Sequence, residues 1–164
     1  QLCIGLDVTM DPALVPPTRV QPQVTKGKET NMMLKHVQKW HESLGNNFDK
    51  RLLALGTDMD GRSRLISRFI RPQKPPEHIN PADPFAIEKA ARYVSIIPYL
   101  QDDEMFPGLT DLWCTDQEFL NILCGDWEEH CILLCNYFNY IDRYRKEQHP
   151  DYSNTDIQSY CVLC

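Results

Sequence analysis

The sequence predicts an α+β domain, and three observations carry that reading. Apolar residues recur at helix period over residues 30–45, 84–97 and 127–146. A turn signal, Asp60-Gly61, stands between two β-compatible runs. Proline-rich connectors separate these units. The 164 residues are enough for one ordinary domain, and 42% hydrophobic with 24% charged residues is a globular composition.

Charge and composition exclude several function classes. A net charge of -6 leaves no basic surplus to displace phosphate counterions, so general nucleic-acid binding is not expected. No apolar run approaches the ~18 residues of a membrane-spanning helix. The opening QLCIGLDVTMDPAL lacks the basic start and long apolar centre of a signal peptide. It also lacks an initiator Met, which fits a fragment. Seven cysteines is an odd number, and without a secretory leader the reading is reduced thiols in a cytosolic compartment.

From the start, LCIGLDVTM is β-compatible and DPALVPPTRVQPQVTKGKE is proline-rich and polar. This reads as the trailing strand of an upstream module and a linker, residues 1–29. TNMMLKHVQKWHESLG follows as an amphipathic helix with Met33, Leu34, Val37, Trp40, His41 and Leu44 on one face and Gly45 as its stop. His36 and His41 are five apart and share no ridge, so they read as solvated or edge-of-core residues and not as a metal pair. Next, Leu52 to Gly56 and Leu65 to Ile70 form a hairpin around Asp60-Gly61. TDMDG opens like a calcium loop, but Arg62 and Arg64 stand where further ligands would be needed. RPQKPPEHINPADP holds five prolines, which remove donors and fix φ. It reads as a rigid linker over the domain surface, not an SH3-type ligand.

Asp83 and Pro84 then start a helix that Pro98 stops, with the apolar stripe Ile87, Ala90, Ala91, Val94 and Ile97. LQDDEMFPGLTDLW reads as a loop with a solvated acidic run from Asp102 to Glu104. Thr115 and Glu118 make a capping box for a short helix, with Gly125 as its expected stop. Asp126 to Glu129 is a second capping signal. It begins a long helix to about Lys146, whose predicted inner face is Trp127, Cys131, Leu134, Cys135, Phe138 and Ile141.

The stretch GDWEEHCILLCNYF decides whether enzyme chemistry is expected. A nucleophilic cysteine acts as a thiolate, which a helix N-terminus and a nearby His favour. The first turn after Gly125 is Asp126, Trp127 and Glu128, with no thiol. Cys131 lies more than a turn deeper, beside Glu128 and Glu129, which disfavour a thiolate. His130 and Cys131 are neighbours on a helix and point roughly 100° apart. The readings left open are a thiol hydrolase or transferase using Cys131 or Cys124 with His130, and a small zinc-stabilised module on Cys124, His130, Cys131 and Cys135. The spacing matches no common two-pair zinc pattern. The simpler reading makes Cys131 and Cys135 small buried hydrophobes, with no catalytic residue, cofactor or metal.

RYVSIIPYL, then DLWCTDQEFLNILCGDWEEHCILLCNYF, preceded by LGTDMDGRSRLISRFIRPQKPPE, resembles the coiled-coil and C2 domain-containing protein 2 family of the ciliary transition zone. The likeness runs from Met33 to Phe138, with several separated motifs in the same order. In that family a C2 domain precedes a transglutaminase-like, cysteine-peptidase-type domain regarded as inactive. The resemblance implies that Cys3 to Pro12 is the last strand of the C2 module. It also implies that residues 30–142 are the N-terminal half of a degenerate transglutaminase-like domain. Active members of the wider superfamily carry G-x-C at the helix start, and aligning Gly125 puts the degenerate nucleophile position on Trp127.

The chain departs from the family after CNYF, where a divergent polar tail, residues 143–164, replaces the expected strands. The resemblance therefore implies an incomplete domain in an alternatively ended product, whose long helix would show a bare apolar face unless a partner covers it. The final Cys161-Val-Leu-Cys164 has the form of a prenylation signal at Cys161, but lacks a usual last residue and an adjacent basic run. By resemblance, the expected role is a non-catalytic scaffold in cilium assembly. It would sit at the basal body and transition zone with protein partners there, and Trp113, Phe119, Trp127, Leu134 and Phe138 would be packing residues.

Overall fold

A computed structural model of the chain describes residues 29–45, 53–108, 111–148 and 159. In order these form α1 (Asn31–Gly45), β1 (Leu55–Asp58), β2 (Ser63–Leu65) and α2 (Ala86–Ser95), then α3 (Asp102–Met105), β3 (Leu112–Trp113), α4 (Asp116–Ile122) and α5 (Trp127–Gln148). The α+β class is as expected. The predicted upstream strand and linker before residue 29, and the tail with Cys161, lie outside the described residues.

The sheet order is β2-β1-β3. β1 and β2 are antiparallel, pairing Gly56 with Arg64, and β1 and β3 are parallel, pairing Thr57 with Leu112. The TDMDG segment is the hairpin turn. Asp58 Oδ1 accepts from the amides of Asp60 (3.0 Å) and Arg62 (2.9 Å), and Gly61 supplies the left-handed φ of 72°. Asp58 Oδ2 lies 2.6 Å from Arg64 Nε, so the buried hairpin charge is paired. Gly56 is required by a close approach, because a Cβ there would meet the Trp113 ring at 2.7 Å.

The second predicted strand is corrected. It starts at Ser63 and stops at Leu65, and Ile66–Arg68 form a 3-10 turn. The reason is the core below it. Phe69 must reach Trp113, at a 5.9 Å ring separation, and a cluster with Ile132. Continued pairing along β1 would carry Phe69 away from both.

Most of the core lies between α2, α4 and α5. Ala86, Ala90 and Val94 bury one side of α2, with Ile97 just beyond its end, against Leu133, Tyr137 and Ile141 of α5. The predicted α2 stripe is thus shifted: Ile87 is 39% exposed and Ala86 takes its place. Alanines at 86 and 90 let the two helix backbones come close. Asp83 still organises the start by accepting from the Phe85 amide at 2.8 Å, but the helix begins at Ala86. In α1 only Val37 of the predicted face is buried; Met33 and Trp40 are exposed.

The inner face of α5 is rotated from the predicted one. Its buried residues are Glu129, Ile132, Leu133, Cys135, Asn136, Tyr137 and Ile141. Leu134 and Phe138 pack at the edge of the core, while Trp127 is 68% exposed. The expected bare apolar face is therefore largely covered within the chain itself. Rotation follows from two polar residues that the fold buries. Asn136 is fully buried and clamps the connector. Its side-chain oxygen accepts from the Arg71 amide (2.7 Å), and its Nδ2 donates to the Phe69 carbonyl (2.8 Å) and to Asp116 Oδ2 (2.7 Å). Glu129 serves the site described next.

Candidate functional site

Three segments converge on the start of α5: the exit of α2, the short α3, and the turn between α4 and α5. α4 begins with the predicted capping box, in which Thr115 Oγ1 accepts from the Glu118 amide and Glu118 Oε2 accepts from the Thr115 amide. It ends at Leu123, which takes the left-handed conformation (φ 61°) and donates its amide to the Phe119 carbonyl at 2.8 Å. Gly125, the predicted stop, has another task. It forms a parallel bridge with Tyr99: its carbonyl accepts from the Leu100 amide (2.9 Å) and its amide donates to the Pro98 carbonyl (3.3 Å). A Cβ at Gly125 would lie 2.8 Å from the Phe119 ring, so the bridge needs glycine.

The second capping signal is real and extends beyond the helix. Asp126 Oδ1 accepts from the Glu128 amide (3.1 Å), and Glu129 Oε2 accepts from the Asp126 amide (3.1 Å). Glu129 Oε1 also accepts from the Cys114 amide (3.2 Å), which ties the end of β3 to α5. Asp102 is corrected from solvated to buried, and its Oδ2 accepts from the Leu112 amide at 2.5 Å. The carboxylates fix β3 between α3 and α5. Oxygen atoms of Asp102, Asp126 and Glu129 lie within 4.8 Å of one another.

This crowding of partly desolvated acids raises their pKa values. Burial, followed by the charges of neighbouring acids, pushes Asp126 up to about 6. Burial and then Asp126 push Glu128 up to about 7. Burial raises Asp102 and Glu129 as well, against the amide hydrogen bonds that favour their charged forms.

The predicted thiol and zinc constellations do not assemble. His130 Nδ1 is 2.6 Å from the Asp126 carbonyl oxygen, and Nε2 is 3.0 Å from that of Ile97. Both ring nitrogens thus face backbone oxygens, and the ring meets Phe119 edge-on at 5.0 Å. Cys124 Sγ lies near Met105 Sδ and the Ile122 carbonyl, each at 3.9 Å. Cys135 Sγ faces the Ser159 carbonyl at 3.3 Å. Among the described residues, the one group of three ligand-type side chains that converges is the all-oxygen set Asp102, Asp126 and Glu129. Those donors suit hard cations, unlike the sulfur and imidazole donors of a zinc site. Each already accepts a backbone amide, and that structural role is the one the geometry defines. Burial and nearby acids raise the Cys114 thiol, and burial raises that of Cys135. The terminal Cys161 and Cys164, which also have C-x-x-C spacing, lie outside the described residues.

Trp127, at the predicted degenerate nucleophile position, is not a packing residue. Its ring leans on Tyr99, with centroids 4.8 Å apart, and most of its surface faces solvent. Trp113 and Phe119 are buried as expected. Sequence reasoning missed Asp102, Tyr99 and Glu129 as parts of this site. For Glu129 a signal existed, since Asp126-x-x-Glu129 is a capping-box spacing in which the last residue points back to the helix start.

Residues 111–144, from β3 through most of α5, match the family described as the CEP76 peptidase-like domain. Protein CC2D2B of Homo sapiens is 29% identical over 101 residues, which is 58% of this chain and 7% of that protein. The chain thus spans a small part of this curated relative's length. No solved structure matches. The α+β architecture and the peptidase-like match fit part of a transglutaminase-like domain. These two matches relate the chain to the CC2D2 family.

Proposed function

We propose that the chain is a non-catalytic interaction module of a cilium-associated scaffold, working at the ciliary base in cilium assembly. The observation that carries the non-catalytic part is the start of α5. Its first turn presents Trp127 where an active relative would need a thiol, and both nitrogens of His130 face backbone carbonyl oxygens. A general base must have a ring nitrogen free to meet the sulfur proton. The ciliary setting rests on the family relationship, and the transition zone and basal body are the sites it favours.

The two halves are tested separately. A thiol-reactive probe at neutral pH should label Cys124, Cys131 and Cys135 no faster than a free cysteine peptide. One of them reacting more than about tenfold faster would overturn the non-catalytic reading. An N-terminally tagged chain, beside a Cys161→Ser copy, should concentrate at the ciliary base of ciliated cells. Diffuse signal in both refutes targeting by this segment. Membrane signal lost in the Ser copy alone shows that a lipid on Cys161 directs it.

A further inference from the structure

The start of α5 combines two features that the fold leaves unanswered. One is apolar: the Tyr99 and Trp127 rings meet at a tilt of 49° with centroids 4.8 Å apart and are largely exposed, with Ile96 and Leu123 exposed on the same two connecting segments. The bridge between Tyr99 and Gly125 holds these segments together, so the aromatic pair stands on a fixed base. The other is electrostatic. Asp126 and Glu128 flank Trp127 in the chain and are half-buried, Asp103 and Asp111 are exposed nearby, and Asp102 and Glu129 are buried. The ion pairs of the described residues lie elsewhere, at the hairpin, at Arg68, at Lys89 and along the distal half of α5. The aromatic pair is thus rimmed by acids with no basic side chain paired to them among the described residues.

From this charge pattern we infer that the Tyr99–Trp127 surface is a docking site for a Lys/Arg-bearing amphipathic segment of a protein partner. Apolar side chains of the partner would cover the two rings. Its cations would meet the acidic rim, and one could sit over the Trp127 face as a cation–π contact. An acidic partner, or an anionic lipid or nucleic acid, would be repelled by the same rim. The inference deepens the interaction-module reading and rests on it. The two fail separately, because thiol labelling tests catalysis and the titration below tests the surface.

The test uses the whole chain and two synthetic helical peptides of about 14 residues with the same leucine face, one carrying lysines and one glutamates. Binding is followed by the indole N–H signals of the three tryptophans, with Trp127 identified from the Trp127→Ala spectrum. The lysine peptide should move the Trp127 signal and leave that of buried Trp113 in place. Trp127→Ala should weaken binding about tenfold, as should raising salt from about 0.05 to about 0.5 M. Asp103→Lys should weaken it in the same direction. Trp127 and Asp103 are both exposed, and melting temperatures should match the parent chain. No binding at about 1 mM peptide, equal binding of the glutamate peptide, or full binding to Trp127→Ala would each overturn the inference. So would self-association of the chain that Trp127→Ala abolishes, since the occupant would then be a second copy.

Discussion

Replacing Asn136 by Ala tests the fold at one buried side chain. The amide is fully buried and serves three groups: the Arg71 amide, the Phe69 carbonyl and Asp116 Oδ2. Alanine fills no hydrogen bond and leaves the two backbone groups facing a small gap. Each orphaned buried group costs about 1–3 kcal/mol, and a charged acceptor that loses its donor costs at least as much. The expected loss is therefore about 3–5 kcal/mol, a large part of the roughly 5–15 kcal/mol that holds an ordinary domain. Urea unfolding followed by far-UV circular dichroism measures it, with a constant slope confirming that the folded state is the same. Asn136→Asp keeps the shape but sets a second carboxylate against Asp116, whose pKa burial has already pushed up to about 6. That variant should lose at least as much as the alanine at pH 8 and recover part of it at pH 5. A loss below about 1 kcal/mol for Asn136→Ala would refute the view that this residue ties the connector to α5.

The acids at the start of α5 should make stability fall as pH rises. With Asp126 at about 6 and Glu128 at about 7 in the fold, the folded chain binds more protons than the unfolded one from about pH 4 to about pH 7, so the slope is negative there. Glu128→Gln should gain about 1 kcal/mol at pH 8, a value reduced for its partial exposure, and flatten that slope in urea titrations. A parallel curve would refute the assignment. Gly56→Ala should cost about 1–3 kcal/mol, because its methyl would press on the Trp113 ring, and the buried tryptophan's emission should shift. Unchanged stability there would mean that the ring moves freely.

What was legible in the sequence was local. The Thr115–Glu118 box, the Asp126–Glu129 signal and the Asp60-Gly61 turn all act within a few residues, and each is where the pattern put it. What was not legible depended on distant groups. Hydropathy counts Trp127 and Cys131 as core and Glu129 and Asn136 as surface. The fold exposes Trp127, leaves Cys131 half-buried and buries Glu129 and Asn136, because amides from residues 114 and 71 complete those two polar groups. β3 is two residues long and exists only through its parallel partner β1, so no periodicity could mark it. Asp102 looked like part of a solvated acidic run because the amide it serves belongs to Leu112.

The parallel pairing of β1 with β3 has a consequence for how the molecule assembles. Thr57 and Leu112 meet across a stretch that includes all of α2, so their contact must wait for a long loop to close. The hairpin needs no such closure, and α4 is nucleated by its own cap. Loop length alone thus predicts that the hairpin and helices form before β3 docks, an order that folding rates of variants in each element would check. The Tyr99–Gly125 bridge closes a shorter loop and joins the exit of α2 to the entry of α5, the two helices that pack together. A partner bound on the acidic aromatic surface would stabilise the folded chain by mass action, and through the Tyr99–Gly125 bridge it would clamp the exit of α2 to the start of α5.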